Sequence, residues 1–168
     1  DCGGLFLATV TLDGGDPLTF LFDTGAAHTV IDDGHGRGES RVIGRLEWGA
    51  LVARDQKARV RDLAGLSAAL GTRVDGILGY PALAGWLVTC DYPLRRVSAR
   101  RGTLAPAGDQ GIFESAGDDG PWLEMRVGER HEKVLLDTGA NGGLELVGFD
   151  ELLFATPPRT TAATWSLQ

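Results

Sequence analysis

The chain has 168 residues, enough for one ordinary domain or two small lobes. Hydrophobic residues make up 43% and charged residues 23%, the balance of a soluble globular protein rather than a disordered or fibrous one. The net charge of −7 excludes the basic footprint of a nucleic-acid binder, and no apolar run reads as a membrane span or secretory leader.

Short apolar or alternating runs, separated by Gly, Pro and Asp, predict an all-β fold. Leu5 to Leu12 reads as a strand, Asp13-Gly14-Gly15-Asp16-Pro17 as a turn, and Leu18 to Phe22 as the return strand of a hairpin that ends on Asp23. The polar segment Val30 to Gly38 follows. Arg45 to Leu51 has Trp48-Gly49 at the centre of a possible hairpin tip. Ile77-Leu78-Gly79 reads as a short apolar strand, and Pro81 to Trp86 as a short helix with Pro in its first turn. Leu87 to Cys90 and Arg96 to Ser98 are further strands on either side of an Asp91-Tyr92-Pro93 turn. Gly102 to Gly111 has linker composition. The hairpin design then recurs: Trp122 to Val127, a turn at Gly128-Glu129-Arg130, and Glu132 to Leu136 leading into Asp137. Phe154 to Arg159 reads as a loop. The divisions are residues 1–101 as an N-terminal lobe, 102–120 as a connecting region and 121–168 as a partial C-terminal lobe.

Both hairpins end on the same four residues. Asp23-Thr24-Gly25-Ala26 returns 114 residues later as Asp137-Thr138-Gly139-Ala140, each copy after at least two large apolar residues. One Asp-Thr-Gly is expected by composition at roughly one position in several thousand, so two in matching contexts are not chance turns. A lone carboxylate at the mouth of an apolar strand is costly to desolvate. Two such groups face to face, sharing a proton, form an acid–base pair with separated pKa values. His28, His35 and His131 have no Cys or His at metal-ligand spacing, so no metal or other cofactor is expected. Cys2 and Cys90 are compatible with a disulfide or with two buried thiols. The bias to 14 Arg over 2 Lys reads as GC-rich coding rather than phosphate binding.

Four elements in order, Phe22-Asp23-Thr24-Gly25-Ala26, Asp75-Gly76-Ile77-Leu78-Gly79, Asp91-Tyr92-Pro93 and Asp137-Thr138-Gly139-Ala140, resemble the retropepsin-like aspartic proteases, above all the bacterial single-chain forms related to retroviral proteases and pepsins. The resemblance covers nearly all of residues 5 to 100 and the start of a second lobe. It implies a closed, barrel-like β lobe, with Ile77-Leu78-Gly79 threading near the first Asp loop, followed by a partial related lobe. Only 31 residues follow Asp137, and no second apolar-apolar-Gly element appears among them, so a longer natural protein is expected.

The resemblance further implies an endopeptidase whose catalytic pair is Asp23 and Asp137. Thr24 and Thr138 would bond across the lobe interface. Gly25 and Gly139 would allow the tight turn and offer N–H groups to the carboxylates. Ala26 and Ala140 stand where pepsin-like enzymes often carry a hydroxyl, whose loss should raise the carboxylate pKa and give a mildly acidic optimum. Trp48 and Gly49 would belong to a flap, with Ile77, Leu78 and Gly79 lining the substrate cleft, although Trp48 also fits an ordinary core position. The partner would be an extended peptide or protein substrate. Three alternatives stand beside this reading: a non-catalytic peptide-binding or dimerisation module, a self-associating protease that pairs Asp23 with its symmetry mate, and, with least support, a carboxylate-pair glycosidase.

Overall fold

The computed structural model describes residues 4–33, 40–102, 120–127, 129–140 and 163–166. Its chain order is β1 (Phe6–Leu12), β2 (Pro17–Asp23), β3 (Thr29–Asp32), β4 (Ser40–Trp48), β5 (Leu51–Arg61), α1 (Ala64–Leu70), β6 (Gly76–Gly79), a 3-10 turn (Tyr80–Leu83), β7 (Trp86–Asp91), β8 (Arg96–Arg101), β9 (Trp122–Val127), β10 (Arg130–Leu135) and β11 (Ala163–Ser166). The class is all-β, and six strands close a barrel in the order β1-β2-β6-β3-β5-β4.

Strand patterning explains which faces are covered. β1 alternates, with Phe6, Ala8 and Val10 buried and Leu7 exposed, as expected of a strand with one face to the core. In β2 three consecutive residues, Phe20, Leu21 and Phe22, are all buried, so both faces of this strand are covered. Phe20 and Phe22 face the barrel core with Val10, Ile43, Leu46, Leu51 and Leu78. Leu21 points the other way, into a smaller cluster with Leu63 and Val74, against which Leu66 and Leu70 of α1 pack. Helix α1 is short for independent stability. It begins with the Asp62 carboxylate accepting the Ala64 N–H and ends on Gly71, whose φ of 65° is left-handed.

β6 runs parallel to β2, with Phe20 opposite Gly76 and Asp23 opposite Gly79, and antiparallel to β3. The loop from Asp23 to His28 therefore bridges β2 and β3 around the end of β6. The expected helix at Pro81 is a 3-10 turn starting at Tyr80, and Trp86 opens β7 instead of closing that turn. β3 occupies the start of the polar Val30 segment. The second hairpin forms as expected, Leu135 pairing with Trp122. β11 pairs with β7, so a strand from the C-terminal portion joins the sheet β11-β7-β8. The expected linker at Gly102–Gly111 lies outside the described residues except for Gly102; the loop at Phe154–Arg159 and Cys2 also lie outside. Cys90 is a free, buried thiol, and burial pushes its pKa up to about 12. Among the described residues no helix is long and apolar enough to cross a membrane.

Candidate active site

The two Asp-Thr-Gly loops meet. Thr24 and Thr138 are buried to 0% and 2% exposure, and they bond reciprocally. The Thr138 hydroxyl accepts the Thr24 N–H at 3.0 Å and donates to the Phe22 carbonyl at 3.1 Å. The Thr24 hydroxyl accepts the Thr138 N–H at 3.1 Å and donates to the Leu136 carbonyl at 2.5 Å. Each hydroxyl thus uses its single proton and a lone pair on the opposite strand, leaving no donor of the pair unsatisfied. The pattern of these bonds is the same read from either loop.

This exchange aligns the carboxylates. Asp23 Oδ1 accepts the N–H groups of Gly25 at 2.9 Å and Ala26 at 3.1 Å, while Asp137 Oδ1 accepts the Gly139 N–H at 2.8 Å. The glycines also have a role the turn argument does not cover. Neither has a positive φ, so conformational freedom is not what selects them. A Cβ on Gly25 would collide with the Asp137 carboxyl group, and one on Gly139 with that of Asp23. Each glycine is the floor beneath the other loop's aspartate.

The two carboxyl groups lie within hydrogen-bonding reach of each other. Burial raises the Asp23 pKa from 3.8 to about 6, reinforced by the charge of Asp137 and the hydrogen bond to it, and opposed by the Gly25 and Ala26 N–H groups. The surroundings are asymmetric: Asp23 is half-buried and Asp137 exposed. A pair of this kind holds one proton and one negative charge together over an acidic range.

The remaining sequence candidates take distinct places. Leu78 is buried opposite Phe22, Ile77 is half-buried toward α1, and Gly79 sits inside the Asp23 loop, where a Cβ would strike the Ala26 and His28 carbonyl groups. Ala26 has its carbonyl bound by the Tyr80 N–H at 3.0 Å, and Ala140 is exposed. Trp48 and Gly49 do end a hairpin, Gly49 with φ +56°. Trp48 turns onto Phe22, with ring centroids 5.3 Å apart, and the strand leading to it pairs with the far end of β1, Glu47 opposite Thr11. The turn borders a cavity of about 730 Å³ beside β1, whose described lining includes Phe6, Phe22, Trp48, Tyr92 and Val97 but neither carboxylate. Trp48 thus packs on the residue that immediately precedes Asp23.

Sequence reading missed the Phe22 and Leu136 carbonyls and the Tyr80 N–H. The signal for the carbonyls was present, since both precede an Asp of the repeat. Among the described residues no three His, Cys, Asp or Glu side chains are grouped to hold a metal ion. No protein-family model matches the chain, and a search of curated proteins finds no match.

Proposed function

We propose that this chain is an aspartic endopeptidase of the retropepsin-like kind, hydrolysing peptide bonds with water activated by the Asp23–Asp137 pair. The observation that carries the reading is the reciprocal seating of the two Asp-Thr-Gly loops, each glycine beneath the opposite carboxylate. Such an arrangement builds one site from two loops of one chain, which favours an intramolecular pair over Asp23 meeting its own symmetry mate. The six-stranded closed barrel, with β6 threaded beside the Asp23 loop, fits a lobe of the retropepsin or pepsin type.

In the monoprotonated pair the ionised carboxylate takes a proton from a bound water as that water attacks the scissile carbonyl. The protonated partner donates to the developing oxyanion, and the proton gained by the first reaches the leaving amine. Burial and the neighbouring carboxyl group raise the Asp23 pKa to about 6, so the pair retains a proton in mild acid. Substrate binds as an extended strand. Activity therefore falls as pH rises through about 6, when Asp23 loses its proton.

The test is cleavage of a diverse peptide library between about pH 3 and 7, across the carboxylate range, by the full-length natural chain and by Asp137→Asn. The reading predicts cleavage by the parent that the variant loses. Cleavage surviving in the variant would assign the chemistry elsewhere, and silence from a folded parent would turn the site into a binding module.

A further inference from the structure

We infer that Asp75 is a positioning residue for the dyad, its carboxylate fixing the register of β6 and so seating Gly79 and Tyr80 within the Asp23 loop. Only its kinetic readout rests on the peptidase reading above; the structural readout does not.

The need for a register lock follows from the shape of β6. The strand has four residues, too few to hold register by its ladder alone, and glycine at both ends. A Cβ at Gly76 would meet the Phe20 ring and the Val30 carbonyl, and one at Gly79 the backbone of His28 and Ala26. A slip of one residue would bring Ile77 or Leu78 into those places. Asp75 stands immediately before the strand and joins both of its neighbours, β2 and β3. Its N–H donates to the Thr19 carbonyl at 2.7 Å, and its carbonyl accepts the Asp32 N–H at 2.8 Å.

The side chain adds a bond that backbone geometry alone does not supply: Asp75 Oδ2 accepts the Thr19 N–H at 2.8 Å, while Oδ1 accepts Arg73 Nε at 2.5 Å. The Asp75 side chain is only 13% exposed, whereas Arg73 is 82% exposed, so the bond to Thr19 carries more than the ion pair. Burial disfavours the Asp75 charge, yet the Thr19 N–H and Arg73 together hold its pKa below the ordinary value. Thr19, Asp32 and Asp75 thus lock one end of β2, β6 and β3. At the other end the Tyr80 N–H holds the Ala26 carbonyl, and the Ala26 N–H holds Asp23.

Amide hydrogen exchange and steady-state kinetics on the full-length chain test this. In Asp75→Ala the Ala26 and Tyr80 amides should exchange faster by about tenfold or more, with the β9–β10 amides unchanged. Where the parent cleaves peptide, kcat should fall on the order of tenfold to a hundredfold with KM little altered. Asp75→Asn, whose amide oxygen still accepts the Thr19 N–H, should restore both. Asp75→Glu keeps the charge but displaces it by a methylene, and should show the exchange pattern more weakly even if the alanine variant does not fold. Unchanged exchange at Ala26 and Tyr80 in the variants that fold, or a loss that asparagine does not restore, would overturn the inference. The exchange pattern in a parent that cleaves nothing would refute the peptidase reading and leave the positioning role standing.

Discussion

At the residue scale the site is governed by what two glycines lack and what two threonines share. Because a Cβ on Gly139 would occupy the space of the Asp23 carboxyl group, Gly139→Ala must push the loops apart. We predict a lower Asp23 pKa as Asp137 recedes and, under the proposed peptidase activity, a fall in kcat on the order of a hundredfold, as for a misplacement near 1 Å; an unmoved Asp23 titration in the variant would contradict this. Thr24→Val removes the acceptor of the Thr138 N–H and the donor to the Leu136 carbonyl, both in a buried interface. Each orphaned group costs roughly 1–3 kcal/mol, so urea unfolding should show a loss of at least about 2 kcal/mol. A loss below about 0.5 kcal/mol would mean that the grip between the loops contributes little. Repetition singled out Thr24 and Thr138 in the sequence, and the bonding of the two across the interface was what the family resemblance implied. The sequence did not reveal why Gly25 and Gly139 are glycines, because the clash that selects them comes from a residue 112 or 116 positions away in the chain.

At the scale of elements, the hairpins delivering each aspartate were legible because alternation and turn chemistry are local signals. The apolar run of β2 was equally plain, but its second covered face needed a partner the sequence hid. Helix α1 has seven residues and none fully buried, so its periodic signal is weak; the Asp62 and Gly71 boundaries were the only clues. Trp48 illustrates the opposite limit. Its turn was readable from Trp-Gly, but the direction of the ring depends on a contact with Phe22 from another strand. Gly79 is where β6 and the Asp23 loop interlock most tightly. In Gly79→Ala the new methyl group meets backbone oxygen, which cannot rotate away. Overpacking of this kind costs about 1–3 kcal/mol, and thermal unfolding of the variant should report it; a variant as stable as the parent would show that the loop can yield.

For the whole molecule, the carboxylate pair couples the fold to pH. Asp23 has a folded pKa of about 6 against 3.8 for the free side chain, so the folded state binds its proton more tightly than the unfolded state does. Its contribution to stability is fully present below about pH 3.8 and is lost as pH rises through about 6. Asp75, held below its ordinary value, acts in the reverse sense and favours the fold once ionised. Comparing parent with Asp23→Asn isolates the first effect: the Tm of the variant relative to the parent should rise between pH 4 and 7. A difference that stays flat with pH would contradict the raised pKa.

The central claim is that two copies of one tripeptide form a single proton-sharing pair. It is tested most directly by following the Asp23 carboxyl carbon by NMR through a pH titration of the parent and of Asp137→Asn. The account predicts a midpoint near 6 in the parent, and a lower midpoint once the Asp137 charge is gone. The same midpoint in both proteins would show that the two aspartates do not act as one site.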